Sequence, residues 1–159
     1  MITFEVDDTK AIARLNAMPE GVRKALAKKV TALSLALEAK VKAKLSGEMV
    51  NVVTGRLRRS IHSTTNQTAT SVVGKVASSG DVPYARIIEQ GGKTAAHDIF
   101  PVKAKALHFM KGGADVFAKV VHHPGSTFKP RPYMRDSLKE MTPEIEAGLR
   151  EAVAEGLRE

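Results

Sequence analysis

Hydrophobic positions change period several times along the chain, and each change marks an element. Val22, Leu26, Val30, Leu33, Leu37, Val41 and Leu45 recur at spacings of 4, 4, 3, 4, 4 and 4. That repeat is one face of a helix of about six to seven turns, which must pack its stripe on something. Before it, Ile2, Phe4 and Val6 alternate as in a short strand; Asp7, Asp8 and Thr9 offer a helix cap, and Pro19-Glu20-Gly21 interrupts the helical pattern. After it, Ser46-Gly47 supplies a stop and residues 48–55 read as a loop.

The middle of the chain turns to short alternations. Residues 61–67 and 70–77 carry Thr, Val and Ser around a short link and predict a hairpin. Pro83-Tyr84 opens a short helix over 84–90, closed by Gly91-Gly92. Residues 93–98 are small and polar and predict a mobile loop; Ile99-Phe100-Pro101, 106–110 and 116–122 predict short strands. A proline-punctuated loop over 123–132 leads to a last helix from Tyr133. Its stripe is Leu138, Met141, Ile145, Leu149, Val153 and Leu157, with Thr142-Pro143 predicting a kink or a second cap midway. Strands clustered between helices predict an α+β fold: an antiparallel β-sheet packed against a long helix in the N-terminal half and a C-terminal helix. Residues 1–159 are expected to form one domain, since 159 residues suit a single core.

Charge sharpens this picture through its distribution. Residues 1–135 carry 22 Lys and Arg against 10 Asp and Glu, while 136–159 carry 3 against 7, so +12 and −4 make up the net +8. A basic body with an acidic end suits head-to-tail packing of copies, and equally a solvated helix that is acidic on its outer face. The lysines of the long helix lie mostly off its apolar stripe and fit a solvated face or a surface for an acidic partner. The absence of cysteine removes disulfide and thiolate chemistry. The N-terminus lacks the basic and apolar regions of a leader, and no apolar run reaches the roughly 20 residues of a membrane span, so a soluble, unexported protein without a membrane partner is expected. Aromatic residues at 4% disfavour base stacking on single strands and a sugar cleft.

Candidate chemistry is sparse. His97, His108, His122 and His123 include potential metal ligands, but adjacent strand residues point to opposite faces, so His122 and His123 do not share one ion. Asp81, Glu89, Asp98 and Asp115 are scattered without the spacing of a magnesium site, and Gly91-Gly92 and Gly112-Gly113 lack the patterns of phosphate loops. Ser60 and Ser126 have no evident base. The expectation is no enzyme, no cofactor and no metal. Arg56, Arg58 and Arg59, on a loop leading into a strand, suit phosphates or carboxylates, and sequence physics alone leaves both open.

Thr54-Gly55-Arg56-Leu57-Arg58-Arg59-Ser60-Ile61 resembles the T-G-x-L-x-x-S-I signature of the tail-completion, or head-tail joining, proteins of long-tailed bacteriophages. Three further stretches agree in order and spacing. Pro83-Tyr84-Ala85-Arg86-Ile87-Ile88-Glu89-Gln90-Gly91 is similar to the family's P-Y-A-x-x-x-E-x-G segment, and Ile99-Phe100-Pro101 to its I-x-P element. His123-Pro124-Gly125 and Pro130-Arg131-Pro132-Tyr133-Met134 are similar to its H-P-G turn and to its entry into the final helix. The resemblance covers residues 22–157, departing at Asn51-Val52-Val53, where the family often has a proline.

The resemblance implies a homo-oligomeric ring subunit, six copies about the tail axis, where the tail tube meets the head connector or stopper proteins. It implies a virion location, assembly in the bacterial cytoplasm, no catalysis, and genomic DNA passing through the lumen without sequence preference. Arg56, Arg58, Arg59, Lys93, Lys103 and Lys105 are then expected to line the lumen or grip neighbouring acidic helices. Residues 93–98 are expected to order only on assembly. Gly55 sets a turn, Leu57 and Ile61 anchor it, and the arginines face a partner. A stand-alone basic DNA-binding protein is the alternative, although no helix-turn-helix spacing supports it; a magnesium-dependent nuclease comes third.

Overall fold

A computed structural model describes residues 20–68 and 71–158. The strand expected around Ile2–Val6, its following cap and Pro19 lie outside the described residues. Helix α1 spans Glu20–Ala43, and the chain leaves it through a widened turn over Lys44–Glu48, in which Gly47 takes φ 119°. A left-handed residue here suits glycine, which has no Cβ to clash. One helical turn, α2 (Arg56–Arg59), leads into the antiparallel pair β1 (Ile61–Gln67) and β2 (Val72–Ser78), registered from Ile61 opposite Ser78 to Gln67 opposite Val72. The arginines expected on a loop therefore sit on a helix. The reversal at Gly55 (φ 69°) and the Arg59 N–H bond to the Gly55 carbonyl at 2.9 Å close that turn.

Helix α3 (Ala85–Gln90) precedes a run of short strands: β3 (Gly92–Lys93), β4 (His97–Ile99), β5 (Leu107–Lys111), β6 (Ala114–Ala118), β7 (Val121–His123) and β8 (Thr127–Phe128). They pair antiparallel as β3 with β8, β4 with β7, and β5 with β6. The expected mobile loop over 93–98 is strand at its two ends, Lys93 in β3 and His97 and Asp98 in β4, with 94–96 between them: the backbone partners come from residues 121–128, some thirty positions away, where local composition gives no warning. The strand expected over 116–122 is split in two for the same reason, since its halves pair with different partners. Helix α4 (Tyr133–Gly156) runs through Pro143 as one element, so the expected re-capping does not occur. Pro143 is exposed, and the Lys139 carbonyl it leaves without an amide partner lies on the exposed side of the helix.

The fold is α+β with antiparallel strands, but among the described residues the strands form four separate ladders instead of one sheet. Helix α1 is the middle layer. On one side Val30, Ser34 and Glu38, one i to i+4 row, face the β1–β2 hairpin; a Cβ on Gly74 would lie 2.1 Å from Ser34 Oγ, so only glycine lets the strand approach so closely. Here Glu38 accepts hydrogen bonds from Lys42 Nζ at 2.6 Å, the Ser63 amide at 2.7 Å and Ser63 Oγ at 2.6 Å. On the other side Val22, Lys29, Leu33 and Lys40 face α4, which runs antiparallel. A Cβ on Gly156 would lie 2.3 Å from the Val22 Cα, and Lys29, Lys40 and Lys44 pair with Glu151 and Glu140.

The second anchor of α4 is Glu89. Almost fully buried, its carboxylate accepts from the Met134 and Arg135 amides, both at 3.0 Å. Pro132 offers no side-chain cap, so a residue from α3 satisfies two orphan donors of α4. The Arg131 amide bonds the Ile88 carbonyl at 2.8 Å, and Tyr133, fully buried, places its hydroxyl 3.4 Å from the Ala85 carbonyl. Burial pushes the Tyr133 hydroxyl above its ordinary pKa, with the nearby Glu89 charge acting in the same sense. Gly91 (φ 72°) completes the joint: a Cβ there would lie 2.9 Å from the Phe128 carbonyl and from Pro130. The core below contains Val41, Leu45, Leu57, Ile61, Val76, Val82, Ala85, Tyr133 and Met134.

Two measurements test this scheme. Glu89→Ala should lower stability by about 2–3 kcal/mol, because two charge-assisted bonds are lost and two buried amides are orphaned, and Glu89→Gln should recover part of it. The readout is a lower urea midpoint at unchanged slope. For Glu38, burial alone would push the carboxyl up, but the bonds from Lys42 and Ser63 outweigh it and hold a group that ordinarily titrates at 4.5 down at about 2. Its contribution is complete above the unfolded value and is lost as pH falls from about 4.5 towards 2. Glu38→Gln should therefore be less stable than the parent at pH 7, with the gap closing in acid-titration melts.

Candidate functional site

The turn over Thr54–Arg59 is built by its own backbone and two of its arginines. Thr54 Oγ1 accepts from the Arg56 amide at 3.3 Å, and Arg59 Nη1 donates to the Thr54 carbonyl at 3.1 Å, across the glycine that sets the reversal. Arg56 Nη2 donates to the Asp81 carbonyl at 2.6 Å and lies 3.8 Å from the Asp81 carboxylate. Hydrogen bonding from Ser79, aided by Arg56, lowers the Asp81 pKa. Leu57 and Ile61 point inward, and Ser60 Oγ bonds the Leu57 carbonyl at 2.7 Å and Ser78 Oγ at 2.8 Å. Arg58 differs from its neighbours. It is exposed and has no hydrogen-bond or ion-pair partner among the described residues.

Beside this turn lies a cleft of about 340 Å³. Its lining combines apolar residues, Leu45, Val50, Val52, Val53, Leu57, Tyr84 and Ile88, with Asn51, Thr54, Arg56 and Arg58, and no carboxylate among the described residues contributes to it. Val53 is 93% exposed and Val52 50%, although both are β-branched apolar residues in a loop. In a connection where Met49 and Val50 pack on the core, the two exposed valines Val52 and Val53 are the signal that reading the loop as a mere link passes over.

A second surface is the strand region over 91–131. It carries seven basic residues, Lys93, Lys103, Lys105, Lys111, Lys119, Lys129 and Arg131, against Asp98 and Asp115, a net +5. Lys93 lies in β3, whereas Lys103 and Lys105 lie in the connection between β4 and β5; all three are exposed. They share no element with Arg56, Arg58 and Arg59. Both acids are taken by histidines: His108 Nε2 lies 2.7 Å from Asp115 and His122 Nδ1 2.5 Å from Asp98. Phe100, Val102, Met110 and Phe117, each at least 60% exposed, make this region apolar as well as basic.

The histidines do not converge. His97 and His123 stack across β4 and β7 with ring centroids 5.0 Å apart, and His122 lies on the opposite face of that ladder, as strand geometry requires. Among the described residues no three His, Asp or Glu side chains are placed to hold a metal ion. Pro124-Gly125 forms a docked turn: Gly125 (φ 84°) donates its amide to His123 Nδ1 at 3.0 Å, and a Cβ would lie 2.2 Å from the Thr94 carbonyl. Thr94 and Ser126 exchange bonds beside it, at 2.9 Å between amide and carbonyl and at 2.8 Å from the Ser126 amide to Thr94 Oγ1. Among the described residues no helix is long and apolar enough to cross a membrane.

The arrangement is one of surfaces: a largely apolar cleft whose lining includes Arg58, unpaired among the described residues, and a basic, apolar strand region. Known proteins supply the context. No curated protein and no solved structure matches the chain. Residues 9–91, which hold α1, the Thr-Gly turn, the hairpin and α3 with Glu89, match the family described as "Bacteriophage HK97-gp10, putative tail-component", and the chain belongs to that HK97-gp10-like family.

Proposed function

We propose that this chain is a structural virion subunit that forms a ring at the head-tail junction, joins the tail tube to the head connector and lets DNA pass through its lumen. Membership of a phage tail-component family carries the reading. The surfaces are consistent with it. A ring subunit needs adhesive area on its flanks and faces, and the exposed Phe100, Val102, Met110 and Phe117 supply apolar area that the chain's own core leaves open. A conduit needs positive charge that attracts phosphate at long range without reading sequence, and the lysines of residues 91–131 have that character.

The stand-alone DNA-binding reading loses part of its surface. Lys29, Lys40 and Lys44 of the long helix and the turn that follows it are paired with Glu151 and Glu140 of α4 in the same chain, so part of the helix's basic charge is met internally. Light scattering across a concentration series, with and without purified tail tubes, tests the proposal. Multimers in solution, or multimers appearing on tubes, are expected. A chain that remains monomeric with tubes present, yet binds duplex DNA at submicromolar concentration with a steep salt dependence, would replace this role by the DNA-binding one.

A further inference from the structure

Residues opposite each other in an antiparallel pair share a face, and the β5–β6 hairpin has two unlike faces. One carries Phe109 opposite Val116, both half-buried, with Lys111 beside the turn. The other carries Met110 opposite Asp115 and His108 opposite Phe117, all four exposed, Met110 and Phe117 at 70% each. His108 stacks on Phe117 with ring centroids 4.7 Å apart and places Nε2 2.7 Å from Asp115 Oδ1, so this exposed face is held in shape by its own contacts. The two strands pack chiefly on each other. A bare two-stranded hairpin is marginal in water and gains stability from a further layer on its apolar face. The turn at Gly112-Gly113 stands clear of the described residues, since a Cβ added at either glycine would meet nothing within 4 Å.

The cleft beside the Thr54–Arg59 turn complements that face. Val52, Val53, Leu57 and Tyr84 give it apolar walls, its lining includes Arg58 without a partner, and no carboxylate among the described residues contributes to it. At about 340 Å³ it lies at the small end of ligand clefts and suits a few side chains instead of a folded partner. Charge selects among the four most exposed apolar residues of the strand region. Phe100 and Val102 lie beside Lys103 and Lys105, which repel the arginines of the cleft, whereas Met110 and Phe117 share their face with a carboxylate and no lysine. His108 takes one oxygen of Asp115, and a carboxylate has room for a second donor on the other. Within one chain the two surfaces do not meet: no residue over 91–131 lines the cleft, and the β3–β8 pairing and the Arg131–Ile88 bond hold the base of the strand region. We propose that the cleft receives Met110 and Phe117 from the hairpin of a neighbouring copy, with that copy's Asp115 against Arg58. This contact rests on the self-association proposed above and gives it a head-to-tail direction, since hairpin and cleft are different surfaces of the same chain.

The absence of cysteine makes a direct test available. A Met110→Cys, Val53→Cys double variant of the full chain, oxidised with diamide with and without purified tail tubes and run unreduced, should give disulfide-linked species beyond dimers. Either single variant should stop at dimers. Val53 is 93% exposed and Met110 70%, so neither substitution enters the core, and circular dichroism checks this. In the same background Arg58→Glu should reduce the linked yield about tenfold, the scale of one charge-assisted contact, and adding Asp115→Arg should restore it. The mass of the same samples before oxidation is read by light scattering. Multimers that yield only a faster-migrating monomer band, or no link, or links indifferent to the charge reversal, would overturn this contact while leaving self-association standing. Monomers under both conditions would overturn both.

Discussion

Four amides at the start of any helix have no partner within it, and in α4 that shortage is met from a distance. Glu89 reaches out of α3 and accepts from the second and third amides of α4, while Arg131 bonds back to Ile88 and Tyr133 rises under Ala85. A negative charge at a helix N-terminus is favoured by the dipole, and burial makes the bonds strong and their loss costly. Because Glu89 lies inside the core, the direction in which α4 leaves residues 128–132 is fixed. Gly91 then allows the strands before and after this joint to lie against each other without a side chain between them.

Much else depends on that direction. With its start held by Glu89, α4 runs antiparallel to α1, so that Glu140 meets Lys40 and Lys44, Glu151 meets Lys29, and Gly156 presses on Val22. The other face of α1 holds the hairpin through Ser34 against Gly74 and Glu38 against Ser63. The core is therefore three layers about a central helix. The region over 91–131 is tied to it chiefly at its two ends, and its middle presents charge and apolar area outward.

The polar network also joins stretches that look separate in the sequence. The Pro83–Gly91 and Pro130–Met134 stretches are the two halves of one joint, and neither has a role alone. Likewise the Thr-Gly turn is closed by Arg59 on Thr54 and tethered by Arg56 on Asp81, which leaves Arg58 as the arginine turned to solvent without a bond among the described residues. Three arginines that look equivalent in sequence divide into two that shape the turn and one whose side chain is exposed without a bond among the described residues.

Local sequence by itself determined the two long helices, through apolar side chains three or four positions apart, the hairpin, through strand-forming composition on either side of a short link, and the short helix before Gly91, through proline at its start and glycine past its end. It also gave the α+β class. What only the tertiary structure decided is whatever depends on residues far apart: that Lys93 and His97–Ile99 pair as strands with residues 121–128, that the described strands make four ladders instead of one sheet, and that Glu89 caps α4. The acidic end of the chain was visible as composition, yet its partners in α1 were not, since an ion pair between residues a hundred positions apart leaves no periodic trace. The cleft belongs to the same class: Leu45, Val52, Tyr84 and Ile88 come together only once the turn, the long helix and α3 are packed, and no spacing along the chain announces their meeting.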